Sequence, residues 1–261
     1  MAINVDGFYV TSVDMASFFD NTNGLVAMLD EIQDATISNT QENNDITGKN
    51  GAVIGTLKRN KAVSVTINNG LLVAGAIAME TGSPVETGTY TIRATEILTV
   101  QDNSATLEGT PVGAAGAEII ALRKKGLGGM LEGTYEQDAT ASATGKFSYA
   151  DQILTFFAGD FNDGDQIAVF YDMEVENAVK VSNDANTYSG VYKAFIDMQL
   201  SDRCDNILHA QMIIYRFDAD GNLDINVGGT DAVMSITGRA LKDLCNTGSD
   251  AGKFWDMIFW E

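Results

Sequence analysis

The chain has 261 residues, with 16 Lys and Arg against 36 Asp and Glu, a formal net charge of −20. Hydrophobic residues make up 45 % and charged residues 20 %, the balance of a folded globular protein rather than a disordered one. An acid excess of this size argues against gripping nucleic acid through its phosphates and against docking on anionic lipid, since both take clustered Lys and Arg.

From the N-terminus, Met-Ala-Ile-Asn-Val-Asp offers neither a basic n-region nor an apolar h-region, so no signal peptide is expected. Leu25, Met28, Leu29 and Ile32 have the spacing of an amphipathic helix. A turn-like Asp20–Gly24 just before them allows a strand instead. Lys61–Asn68 alternates cleanly, with Val63, Val65 and Ile67 on one face. The small, apolar stretch Asn69–Met79 predicts a short buried helix. It contains the longest run free of strongly polar groups, Gly70–Met79, about half a membrane span. Further strands are expected at Thr89–Thr95, Gln166–Asp172, Ala178–Ser182, Lys193–Leu200, Gln211–Phe217, Leu223–Val227 and Ala232–Thr237. Gln166–Asp172 is entered through the turn residues Asn162–Asp165, and Gln211–Val227 reads as a hairpin closed at Asp220–Gly221. Gly238–Cys245 reads as a second short helix, with Leu241 and Leu244 inward. Strands dominate and no strand–helix alternation appears, which disfavours a doubly wound α/β fold.

Chemistry-bearing motifs are few. His209 is the only histidine, so a His-based triad or multi-histidine metal site is ruled out or nearly so. Asp218-Ala-Asp-Gly-Asn-Leu-Asp224 spaces oxygen side chains as a calcium loop does, but its glycine is misplaced and residue 229 is Gly rather than Glu. A turn is the simpler reading, for it and for Asn162–Asp165. Gly126-Leu-Gly-Gly129 lacks the Lys-Ser/Thr of a phosphate loop. No catalytic residue, cofactor site or metal site is expected, and no enzymatic activity. Cys204 and Cys245, alone and far apart, read as buried thiols.

Charge is unevenly placed. No base precedes Lys49, against eight acids, and 126–179 holds only Lys146 against ten acids. The bases gather at Lys49–Lys61 and at Arg123-Lys124-Lys125, the latter read as a solvated loop or a contact to an acidic partner. Acidic patches that meet basic ones head-to-tail make rings, and stacked rings make tubes.

Asp45-Ile-Thr-Gly-Lys-Asn-Gly51, followed by Ile54-Gly-Thr-Leu57, the strand Lys61–Asn68 and the apolar segment Leu71–Met79, resembles the N-terminal half of major tail (tail tube) proteins of long-tailed bacteriophages of Gram-positive hosts. Gly164–Tyr171, Ala194–Leu200, Ala210–Ile214 and Thr237–Leu241 follow in that family's order. Asn50 stands where the family more usually has glycine, and 126–145 has no counterpart in it. The resemblance implies a mainly β chain, a single tail-tube-like domain over 1–261 with 126–145 as a loop or insertion. The fold would be a β-sandwich or partial barrel with one or two short helices. It also makes Leu25–Leu29 a strand.

By the same resemblance, six subunits form a ring, and rings stack into a virion tail tube that conducts DNA without binding it specifically. Partners would be further copies of the chain and the tape measure, terminator and distal tail proteins, with no membrane and no cofactor. The subunits would be made in the host cytoplasm. An acidic bore suits such a conduit because it repels the phosphates, although solubility alone also favours acidity. The polar loop 41–58, with Asp45, Gly48, Lys49, Asn50, Gly51, Lys58 and the adjoining Arg59, is expected to reach a neighbouring subunit. Two other readings stay open: a capsid decoration or other virion protein, and a β-sandwich module for carbohydrate or calcium, with Trp255 and Trp260 as sugar platforms.

Overall fold

The computed structural model describes residues 7–204, 206–226, 228, 234–244 and 251–261. The chain is mainly β and divides into two compact units, the first made of residues 1–86 and 181–261, the second of 87–180. Unit 1 opens with β1 (Tyr9–Phe19), β2 (Leu25–Leu29), β3 (Ile32–Thr47), β4 (Val53–Asn69) and α1 (Ala74–Thr81). Unit 2 holds β5 (Glu86–Thr99), β6 (Ser104–Thr106), β7 (Ile119–Lys125), β8 (Leu131–Gln137), β9 (Lys146–Ala150), β10 (Ile153–Phe156) and β11 (Gln166–Lys180). Unit 1 resumes with β12 (Val191–Ser201), β13 (Ile207–Ile225), β14 (Met234–Ala240) and β15 (Trp255–Trp260).

The unit 1 sheet runs β2-β1-β12-β13-β14-β4-β3, and β15 pairs with β13 beside β14. The strands β2 and β3 stand at opposite ends of this order, yet only Asp30 and Glu31 separate them in sequence. The sheet therefore curls back on itself as a partial barrel. Inward side chains alternate along each strand: Val63, Val65 and Ile67 on β4, Ala194, Ile196 and Met198 on β12, Met234 and Ile236 on β14. They share one core with Phe18, Leu29 and Phe217, and α1 adds Ala76 and Met79 to it. The helix begins without a side-chain cap and ends at Gly82, whose left-handed φ of 72° closes it through an N–H bond to the carbonyl of Ala78.

Unit 2 is a sheet in the order β5-β11-β7-β8-β9-β10-β6 around a separate core of Leu122, Phe147, Leu154, Ile167, Val169 and Tyr171. The buried Tyr171 hydroxyl bonds to Glu96, whose carboxylate also accepts the N–H groups of Glu108 and Gly109. Burial, then Glu96, pushes the Tyr171 phenol up to about 12. Within 126–145, a short 3-10 turn at Leu127–Gly129 leads into β8.

Several sequence expectations are overturned. Gly238–Leu244 is no helix: β14 covers Met234–Ala240 and residues 241–244 are irregular, while Cys245 lies outside the described residues. Period-two burial and pairing on both sides outweigh the local Leu241/Leu244 spacing, and Leu244 is exposed. Gln211–Ile225 is no hairpin but the continuous second half of β13; Val227 lies outside the described residues. A register shift between Ala219 and Leu223 absorbs Asp220–Gly221 as a bulge, because β14 pairs on both sides of it. Cys204 is exposed in a turn held by Asp202, not buried. Arg123–Lys125 ends a strand rather than forming a loop.

Candidate functional site

Residues 41–58, expected as a loop, form the outer half of a two-stranded hairpin. Its strands β3 and β4 pair from Ile32–Asn69 out to Thr47–Val53. No alternation betrays these strands in the sequence because neither face is buried. From Ser38 to Ala62 every residue is exposed except the half-buried Gly48 and Gly55. The base of the hairpin is anchored by Val63, Val65 and Ile67, with Ala35 and Ile37 beside them.

The arm turns at Gly48–Ala52. Gly48 N–H bonds to the Ala52 carbonyl at 2.8 Å and Gly51 N–H to the Gly48 carbonyl at 2.9 Å. Gly51 adopts a φ of 77°, which glycine reaches without strain. A Cβ on Gly48 would stand 3.0 Å from Ile54 Cγ2, a tight contact that the exposed Ile54 side chain can relieve by shifting slightly.

All seven candidate residues fall on this arm. Asp45 lies on β3, accepting a bond from Thr56 Oγ1 at 3.1 Å. Gly48, Lys49, Asn50 and Gly51 make the turn, and Lys58 and Arg59 lie on β4. Arg59 faces Glu42 across the ladder with Nε 3.7 Å from Oε2, an exposed pair worth little by itself. Lys58 pairs in register with Asn43 on the opposite face.

The sequence reading missed the arm's apolar residues. Ile46, Val53, Ile54 and Leu57 are all more than half exposed, Ile54 at 72 %. The Val53–Leu57 run falls inside the stretch 41–58 expected as a polar loop, where the uniformly polar Gln41–Asp45 masks its apolar side chains. The outer half of a two-stranded ribbon has no sheet behind it and is marginal in water. β3 is also the last strand of its sheet order, so its outer edge is unpaired among the described residues. The arm thus offers an open strand edge, exposed apolar side chains and bases at its tip (Lys49) and midway along it (Lys58, Arg59).

Other candidates are engaged internally. Arg123 Nη1 donates to the Gly133 carbonyl at 2.6 Å, and Lys124 bonds Asp165 at 2.5 Å beside the Phe161 ring. Asp218 and Asp220 both pair with Arg239, at 3.5 and 3.2 Å. Among the described residues no three His, Cys, Asp or Glu side chains are placed to hold a metal. His209 stacks on Trp260 with ring centroids 5.8 Å apart, and Trp255 packs on the unit 1 core.

Compared with known proteins, residues 8–253 match the family model described as the YomU/Tube protein family. No curated protein matches the chain.

Proposed function

The chain belongs to the YomU/Tube protein family, a family of phage structural proteins, and from that membership we propose that it is the subunit of a bacteriophage tail tube. Six subunits form a ring, and stacked rings conduct the genome during ejection without binding it. Its partners are further copies of itself and the tape measure, terminator and distal tail proteins, and its place is the tail of the virion.

The observation that carries this reading is the β3–β4 arm. A long ribbon with Ile46, Val53, Ile54 and Leu57 in water and an open edge is unfavourable in a lone subunit. It becomes favourable when an adjacent copy covers it by strand pairing and apolar contact. The charge of −20 fits the same reading, because Lys49 at the arm's tip and Lys58 and Arg59 midway along it would meet an acid-rich chain on any other copy. Acidity also keeps the bore from holding DNA by counterion release.

Electron microscopy of the purified protein at high concentration, with light scattering, tests this. Hollow rings or tubes are expected from the native chain. The double variant Lys49→Glu/Lys58→Glu should stay unassembled while melting as the native subunit does. Normal tubes from that variant would remove the arm's bases from the contact. A native chain that remains monomeric or trimeric would move the assignment to a decoration protein.

A further inference from the structure

Glu80 is, with Asp243, one of two buried carboxylates among the described residues of unit 1, and the more deeply buried. It sits in the last turn of α1 with 2 % of its surface exposed. Oε2 accepts the N–H of Gly221 at 2.9 Å, from the bulge of β13. Oε1 is buried and has no hydrogen-bond partner among the described residues. The residue borders a cavity of about 550 Å³ lined also by Thr187, Tyr188, Ser189, Asp220 and Gly221.

The strap 182–190 forms one wall of this partly open cavity, tying both sides together. Thr187 Oγ1 bonds to the Thr81 carbonyl at 3.2 Å on the helix side, and Ser189 Oγ to the Ala219 carbonyl at 2.5 Å on the bulge side. A Cβ on Gly82 would lie 2.0 Å from the Tyr188 carbonyl oxygen, so strap and helix end are in direct contact.

No Lys, Arg or His among the described residues lines the cavity. The groups that face Glu80 are these. The bulge contributes Asp220, which raises the cost of a second negative charge although Arg239 pairs with it. β12 contributes Tyr192, whose hydroxyl donates to the Met79 carbonyl at 3.4 Å and whose phenol is pushed up by burial and then by Glu80. The strap contributes the exposed Tyr188. β2, the other strand against α1, carries only Leu25–Leu29 and no titratable group. An orphaned buried oxygen costs far more when charged than when neutral. Burial, with Asp220 acting in the same direction, accordingly raises this carboxyl from 4.5 to about 7.

We propose that Glu80, Gly221 and the strap 182–190 form a proton-controlled latch between α1 and the β13 bulge. Neutral Glu80 keeps the latch shut, with its proton held on the acid. Loss of that proton to solvent leaves a buried charge with one N–H for company. The carboxylate then draws in water from the open side of the cavity, the strap lifts, and the helix end parts from the bulge. The segments affected are 74–82, 182–190 and 216–223.

Hydrogen exchange with mass spectrometry on the whole protein, corrected for intrinsic exchange, tests the latch between about pH 5 and about pH 8. Protection of those three segments should fall by up to about tenfold per pH unit as pH rises from 4.5 to about 7 and level off above it, while the rest of unit 1 holds. Glu80→Gln should exchange equally at both pH values. Equal protection in the native chain, or a persistent pH dependence in Glu80→Gln, would overturn the proposal. Should that variant fail to fold, the side-chain carboxyl carbon of Glu80 in the native protein decides by NMR: titration near neutrality supports the latch, and titration in the ordinary carboxylate range refutes it.

Discussion

Gly238 on β14 lies flat against the ring of Phe217 on β13. A Cβ on the glycine would stand 2.4 Å from Phe217 Cζ and 2.7 Å from the Asp218 carbonyl oxygen. The same ring packs on Phe18 of β1 with centroids 5.3 Å apart, so it has nowhere to retreat. Gly238→Ala should therefore destabilise the protein by about 1–3 kcal/mol through overpacking. Denaturant melts read this as a lower midpoint with an unchanged slope.

The arm's apolar residues make the opposite prediction. Ile54→Asp and Leu57→Asp change side chains that touch mostly water, so monomer stability should move by no more than about 0.5 kcal/mol. Assembly, followed by light scattering, should be lost or slowed strongly. A variant that unfolds instead would show that these residues serve the subunit itself.

Stability should depend on pH from two sides. Asp165 is held below its ordinary 3.8 by Lys124 and then by the Asn162 N–H, and Asp256 by Lys253 and Tyr215. Carboxyls lowered in the folded state add stability above their unfolded value, and it is lost as pH falls through the folded one. Glu80 acts in reverse. Its folded value of about 7 lies above its ordinary 4.5, so its favourable contribution is complete below 4.5 and is lost as pH rises through 7. That shift corresponds to about 3 kcal/mol. Glu80→Gln should flatten the neutral limb of the stability profile and leave the acid limb alone.

The pair Tyr171–Glu96 gives an alkaline limb. Tyr171 is raised from 10.0 to about 12, so its contribution is intact below 10 and is lost as pH climbs through 12. Tyr171→Phe should cost about 1 kcal/mol at neutral pH, since Glu96 keeps its two backbone N–H bonds. It should also remove the latest-titrating tyrosine from the ultraviolet difference spectrum.

What the sequence made legible follows from what each segment faces. Lys61–Asn68 announced itself because one face of β4 is buried and one is not, and the alternation records that. Leu25–Leu29 fits helix spacing and strand equally, and only its pairing with β1 decides. The outer arm left no alternation to read because both of its faces meet solvent. Asp220–Gly221 carries the chemistry of a tight turn, but a bulge accepts the same residues, and β14 lying across both sides selects it. The surroundings of Glu80 unite residues 80, 187–189 and 220–221, and no local pattern reports contacts that distant.

The division of the chain has a consequence for the order in which its parts can form. Unit 1 is split, and β1 must find β12 across nearly the whole chain, Tyr9 opposite Ser201. Unit 2 is a continuous stretch that needs nothing outside 87–180 for its own core. Its two ends emerge side by side, with the Lys180 ammonium over the Tyr90 ring at 5.1 Å. Once folded, unit 2 turns a long floppy tether between β4 and β12 into a short clasp. Each halving of the effective tether saves about 0.6 kcal/mol of closure entropy. The inserted unit thus works as a folding splint. A destabilised unit 2, as in Tyr171→Phe, should slow refolding of unit 1 even though no side chain of its sheet has changed.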